Sequence, residues 1–196
     1  NLTFSSMLLA VLHAQNDMAL LPAMAIVLVT GTLVGVLNGF LVVTLGIDSF
    51  IATLGTGTIM QGVALAISNS QTISGMSDTL INFTANYRLA GISMGFWYGV
   101  VLTVALAYLL GFTALGRRML FVGRNPEVSR LSGIKVARIQ WGALIGSAFI
   151  ASIAGIVYTG TQGAADPTSG LGFMLPAFAA CFLGSTAVQP GRFNPI

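Results

Sequence analysis

Apolar side chains come in unbroken runs along this chain, separated by short polar stretches, and the lengths of the runs select membrane-spanning helices. Leu20 to Leu45 is apolar over roughly 26 residues, which at about 1.5 Å per residue crosses a hydrocarbon core with some tilt. Pro22 falls in its first turn, where a missing N–H is tolerated. Phe50 to Ser68, Met94 to Phe112 and Ile139 to Thr159 are three more runs close to the roughly 20 residues a spanning helix needs. A further run, Leu171 to Val188, is interrupted by Pro176, and Thr3 to Leu12 gives only about ten residues, either the end of a span or half of a broken helix. Between the runs lie a short loop at His13 to Asp17, a turn at Gly46 to Ser49, and loops at Gly160 to Gly170 and Gln189 to Ile196. Asn69 to Ser93, polar and carrying Asp78 and Arg88, reads as an extramembrane loop of about 25 residues, long enough to be functional or poorly ordered. The fold class expected is all-α, a polytopic transmembrane helix bundle.

Composition agrees: of 196 residues 55% are hydrophobic and 7% charged, against about 25% charged in an average soluble domain. The few charges carry the topology. Arg117, Arg118, Arg124, Arg130, Lys135 and Arg138, six of the eight cations, fall between Gly111 and Gln140. Burying all six at mid-membrane would cost on the order of 15 to 20 kcal/mol, so the stretch lies in water, and the positive-inside rule makes that water cytoplasmic. Alternate crossing then puts Asp48 and Arg192 inside, and Asp17, Asp78, Arg88 and Asp166 outside, leaving Arg88 the one external cation. Basic residues held between two apolar runs, with almost no aromatic residues among them, speak for topology and against nucleic acid. The single cysteine, Cys181, excludes a disulfide or cysteine metal cluster within the chain. The opening residue Asn1, the short first run and the end at Ile196 suggest a fragment of a longer polytopic protein, and no signal-peptide pattern is present.

Two runs carry small residues every fourth position: Gly31, Gly35 and Gly39 in one, and Ala143, Ser147, Ala151 and Gly155 in the other. Such stripes let helices approach closely. Asn38 stands beside the first stripe, and the next run contains Thr53, Thr56, Thr58 and Gln61 among Gly55, Gly57 and Gly62. Two readings stand for Asn38, Thr53, Thr56 and Gln61: hydrogen bonds between helices, or part of a polar route for an uncharged solute. No ionisable side chain occurs at mid-depth, which argues against proton or sodium coupling in this chain and leaves the energy source to a partner. In the basic stretch, Asn125-Pro126-Glu127 reads as a helix start with Asn at the N-cap and an acid near the positive end of the dipole. Ser132-Gly133-Ile134 reads as its stop, with Gly133 at C′. A helix of about two turns is unstable alone in water, so it needs a membrane surface or a partner protein to dock on.

Gly116-Arg117-Arg118, Gly123-Arg124-Asn125-Pro126-Glu127 and Arg130-Leu131-Ser132-Gly133-Ile134-Lys135-Val136 together closely resemble the cytoplasmic loop of permease subunits in ribose-type monosaccharide ABC importers. Asn1-Leu2-Thr3, Asn38-Gly39, Phe50-Ile51-Ala52-Thr53-Leu54-Gly55, Ala154-Gly155, Phe182-Leu183-Gly184-Ser185-Thr186 and Pro190-Gly191-Arg192-Phe193-Asn194 match in the same order. Asn1 stands where the family usually has Asp, and Ala187-Val188-Gln189-Pro190 replaces a commoner glycine-rich turn. The resemblance implies that residues 1–196 are one partial transmembrane permease domain with a cytoplasmic coupling loop over 113–138. Asn125, Pro126, Glu127, Arg130, Leu131, Ser132 and Gly133 would then form the ATPase-coupling helix. The partners implied are ATP-binding cassette ATPase subunits holding ATP and magnesium, a periplasmic sugar-binding protein and a second permease copy, with a monosaccharide as cargo, in the lipid of the bacterial inner membrane. The chain itself would hold no cofactor or metal and be no enzyme.

Two other classes are kept beside it. One is a membrane scaffold or binding protein without transport. The other is an intramembrane hydrolase, because Gly91-Ile92-Ser93-Met94-Gly95 matches Gly-x-Ser-x-Gly and the lone histidine, His13, lies on the same outer side. The nucleophile elbow, however, needs a strand, a sharp turn and a helix with a histidine partner.

Overall fold

The longest apolar runs become helices, and the polar breaks between them fold more than their composition suggests. The computed structural model describes residues 1–89 and 91–184. α1 (Leu2–Ala10) continues through a wider π-helical turn, Val11–Gln15. α2 (Leu20–Gly39) likewise runs on through Phe40–Thr44, and α3 is Ser49–Ile67. Next come β1 (Ile73–Ser74), α4 (Asp78–Ile81) with a π-helical extension Asn82–Asn86, and a hairpin of β2 (Arg88–Leu89) and β3 (Ile92–Ser93). α5 (Met94–Phe112), α6 (Ala114–Arg124), α7 (Pro126–Leu131), α8 (Val136–Gln162), β4 (Ala164–Ala165) and α9 (Ser169–Leu183) complete the described chain. Among the described residues four helices are long and apolar enough to cross a membrane: Leu20–Thr44, Ser49–Ile67, Met94–Phe112 and Val136–Gln162. The protein is an all-α, multi-pass helix bundle.

Contacts divide it into two compact units. The first, residues 1–95 with 141–170, is built around α1. Met7 and Ala10 pack with Ala64, Ile73, Met76 and Ala165, while Leu9 packs with Ala23, Val27, Leu80 and Ile156. Thr3, Ser5 and Ser6 are buried as well. The Ser6 and Thr159 hydroxyls lie 2.8 Å apart, joining α1 to α8 across 153 residues of sequence. The short first run is therefore a buried helix that the unit is packed around. Asp17, at φ 50°, lies in the turn between this helix and α2.

The segment 69–93, expected to be an extramembrane loop that is functional or poorly ordered, carries short helical and strand pieces among its described residues and folds back onto this unit. β1 pairs with β4, Ile73 opposite Ala165, and Leu80 and Thr84 are buried, both against Gly160 of α8. A Cβ at Gly160 would meet Thr84 Oγ1 at 2.5 Å and Leu80 Cγ at 2.9 Å, so the partial helix and α8 are in direct contact.

The second unit comprises, among the described residues, 96–140 and 171–184. α5 presents Val101, Val104 and Tyr108 outward, three or four residues apart, as a lipid-facing helix does. The basic stretch, read as a loop with one short helix, contains a second helix, α6. Thr113 caps it, its side chain accepting from Gly116 N at 3.1 Å. Gly116 rests against the last turn of α5, where a Cβ would come within 2.5 Å of Leu110 Cα, so only glycine allows this corner. α9 runs through Pro176 without ending there, a departure from the expected break. A proline in an apolar helix removes one N–H bond but does not force a stop where neighbouring groups re-satisfy the backbone. The Ser185-Thr186 and Pro190 to Asn194 matches, the end of the last run at Val188 and the Gln189 to Ile196 loop with Arg192 lie outside the described residues.

Candidate functional site

α7 is a helix of six residues closed at both ends by its own sequence. The Asn125 side chain accepts from Glu127 N at 3.1 Å and from Val128 N at 3.2 Å, satisfying two of the first-turn donors. Pro126 occupies the first helical position and Glu127 the first turn, where a negative charge suits the helix dipole. At the other end Ile134 N donates to Ser129 O and Gly133 N to Arg130 O, both at 3.0 Å, with Gly133 at φ 78°. That pair of bonds is a Schellman stop. The Ser132 hydroxyl donates to Val128 O at 3.0 Å.

These caps fix which side faces out. Ser129 is fully buried, its hydroxyl donating to Asn125 O at 2.8 Å, whereas Leu131 is 88% exposed and Val128 45% exposed. Arg130 and Glu127 are exposed beside them. The six cations of this stretch have no ion-pair partner among the described residues. α7 therefore exposes two apolar side chains, Val128 and Leu131, beside one acidic and one basic residue. Ser129, which anchors the inner side, carried no signal beyond its place one residue after Val128. Thr113 could have been read as an N-cap ahead of α6.

In the first unit the polar residues of the spans meet in pairs. Thr56 Oγ1 donates to Asn38 Oδ1 at 2.7 Å, linking α3 to α2. The Gln61 amide donates to the Pro167 carbonyl in the turn before α9. Thr53 instead bonds within its own helix, to Ser49 O at 2.8 Å. Asp166 holds that Pro167 turn: its carboxylate accepts from Thr168 N at 2.6 Å and Thr168 Oγ1 at 2.7 Å. These bonds to Thr168 lower its pKa below the ordinary carboxylate value. The turn keeps that contribution at neutral pH and loses it as pH falls through the lowered value. Thr58 and the backbone at Gly55, Gly57 and Gly62 face open space on the other side of α3.

Because the Ala52 carbonyl, 3.0 Å away, is a second acceptor for Thr56, the Asn38 bond is worth little to folding. Thr56→Val is expected to lower stability by only about 0.6 kcal/mol. Chemical denaturation of the detergent-solubilised full-length protein checks this; a loss several times larger would mean the pair does more than join two helices.

The glycines of α2 lie directly on α8. Gly31 faces Ser152, Gly35 faces Ala148 and Ile145, and Gly39 faces the Trp141 ring. On α8 the residues that meet this stripe are thus Trp141, Ala148 and Ser152. Ser147 is exposed, Ala143 and Ala151 are half-buried, and Gly155 turns to α1, where a Cβ would lie 2.7 Å from Leu2 O. Ser93 sits in strand β3 ahead of α5, not in an elbow, and His13 Nδ1 lies 2.7 Å from the Met18 carbonyl. No group of three or more His, Cys, Asp or Glu side chains gathers among the described residues.

The family model described as branched-chain amino acid transport system / permease component matches residues 1–195. The ribose import permease protein of Haemophilus influenzae is 32% identical over 171 residues, 85% of this chain and 53% of that protein. The D-allose transport system permease protein of Escherichia coli is 33% identical over 191 residues, 97% of this chain and 58% of that protein. The autoinducer 2 import system permease protein of Salmonella choleraesuis is 34% identical over 164 residues, 84% of this chain and 47% of that protein. The chain spans about half the length of the curated relatives it matches. No solved structure matches it.

Proposed function

The chain belongs to the branched-chain amino acid transport system / permease component family, and from that premise we propose that it is the permease part of an ATP-driven importer of a monosaccharide in the bacterial inner membrane. Residues 1–196 form part of one transmembrane domain, and 113–138 form its cytoplasmic coupling loop. The observation that carries this reading is α7: a helix too short to persist alone, capped at both ends, with Leu131 and Val128 turned outward beside an Arg130 that has no ion-pair partner among the described residues. It docks in a groove of a separate ATPase subunit, where Leu131 and Val128 enter an apolar floor and Arg130 meets an acidic rim. ATP and magnesium are held by that subunit. Its movement on ATP binding and hydrolysis shifts α7, and the bundle alternates between outward and inward access. A periplasmic sugar-binding protein delivers the cargo outside, and a second permease copy completes the pathway.

The cargo assignment rests on chemistry as well as likeness. The described spans carry Asn38, Thr53, Thr56 and Gln61, each bonded to another of them or to backbone, but no charge at mid-depth. Hydroxyl and amide partners suit a neutral sugar, whereas an amino acid would bring two charges into a region with none to pair them. Ribose and allose in the relatives' names point the same way.

Arg130→Glu is expected to weaken ATPase association by about five-fold or more and to depress sugar-stimulated ATP hydrolysis with it, since the charge at a docking rim is reversed. Co-purification and ATP turnover of the assembled transporter measure both. If both were unchanged, α7 would not be the coupling element.

A further inference from the structure

α6 is not accounted for by docking of α7. Its first turn packs against the last turn of the spanning helix α5. Gly116 is buried against α5, with an added Cβ only 2.5 Å from Leu110 Cα and 2.6 Å from Leu110 O. The first turn of α6 therefore lies at the depth where α5 leaves the membrane. Tyr108 and Phe112 mark that depth: their rings stack with centroids 5.6 Å apart, and both are largely exposed, as in an interfacial aromatic belt. On α6 itself Val122 is buried, while Arg117, Arg118, Phe121 and Arg124 are exposed. Phe121 is four residues after Arg117 and three before Arg124, so it shares their side of the helix. An exposed aromatic ring among three arginines that have no ion-pair partner among the described residues, at the membrane boundary, combines an anchor for acyl chains with donors for phosphate oxygens.

We propose that α6 is an interfacial helix whose Arg117, Arg118 and Arg124 bind the phosphodiester headgroups of anionic phospholipids, with Phe121 seated at the acyl boundary. Guanidinium groups on long stems reach headgroup phosphates while the helix lies in the interface plane. Lipid bound there would hold the α5–α6 corner, and with it the base from which α7 projects. The inference stands on the corner and the arginine face and does not require the ATPase reading.

The test uses the full-length permease in nanodiscs holding equal phosphatidylglycerol and phosphatidylethanolamine, with retained lipid counted by native mass spectrometry. The wild type is expected to retain phosphatidylglycerol preferentially. Arg117→Gln with Arg118→Gln should lower that preference about ten-fold, and the charge-matched pair Lys135→Gln with Arg138→Gln should leave it nearly unchanged. Equal retention of both lipids by the wild type, or equal loss in both variants, overturns the proposal. Should the first pair insert poorly, a spin label at Phe121→Cys in a Cys181→Ala background replaces it. In phosphatidylglycerol vesicles holding the permease alone, the label should be shielded from an aqueous relaxant; full exposure to it, as for an α6 that faces water until an acidic protein covers it, also overturns the proposal.

Discussion

Replacing Gly155 by leucine is expected to cost the protein most of its folding margin. Gly155 is where α8 crosses α1, and even a methyl group there would lie 2.7 Å from Leu2 O and 2.9 Å from Ser5 Cβ. Neither atom is the far end of a flexible side chain, so α1 itself must move. α1 supplies Met7 and Ala10 to one apolar cluster and Leu9 to the other, and both loosen together when it shifts. Overpacking a core costs about 1 to 3 kcal/mol and occasionally more; with two clusters coupled through one helix, the upper part of that range is expected. Total stabilities are about 5 to 15 kcal/mol, so a large drop in melting temperature or loss of folded protein follows. Gly142→Leu is the control, since no heavy atom of the described residues lies within 4 Å of a Cβ there. Thermal melting of the two full-length variants in detergent should separate them clearly. Equal melting temperatures would mean that the α1–α8 contact does not organise the first unit.

Leu131→Asp should do the reverse, sparing the fold and removing the coupling. Leu131 is 88% exposed, so a charge there meets only water, and the change in stability should stay within about 0.5 kcal/mol. Burial of a leucine side chain on a partner is worth about 1.5 to 3 kcal/mol. Losing it, with a carboxylate forced toward an apolar floor, should weaken ATPase association by roughly ten- to a hundred-fold. Binding of the ATPase to the reconstituted variant, measured beside an unchanged melting temperature, checks this. Unaltered affinity would remove Leu131 from any docking face.

What the sequence made legible follows from how local each signal is. The spans are long uninterrupted apolar runs, and Leu20–Thr44 and Met94–Phe112 emerge within a residue of the expected limits. The ends of α7 were equally legible because caps are set by neighbouring residues: Asn125 reaches only to Glu127 and Val128. Features that depend on distant partners were not. The single turn of α4 is too short for any periodicity, and it is ordered because Leu80 reaches Leu9, Ala23, Val27 and Ile156. α6 holds Gly116 and Gly123, poor helix formers, and its start is fixed by contact with α5. On α8, small residues occur on two adjacent faces, and size alone could not choose between Ser147 and its neighbour Ala148 as the one facing Gly35. The Gln61 bond to Pro167 spans 106 residues and left no local trace.

On the function proposed above, this chain moves a monosaccharide with energy that enters through α7. The most direct measurement is uptake of labelled pentoses and hexoses into vesicles carrying the full-length permease, its ATPase and its sugar-binding protein. ATP-dependent accumulation of at least one of these sugars is expected, abolished by Leu131→Asp while the permease itself remains folded. An assembled complex that hydrolyses ATP but takes up none of them would contradict it.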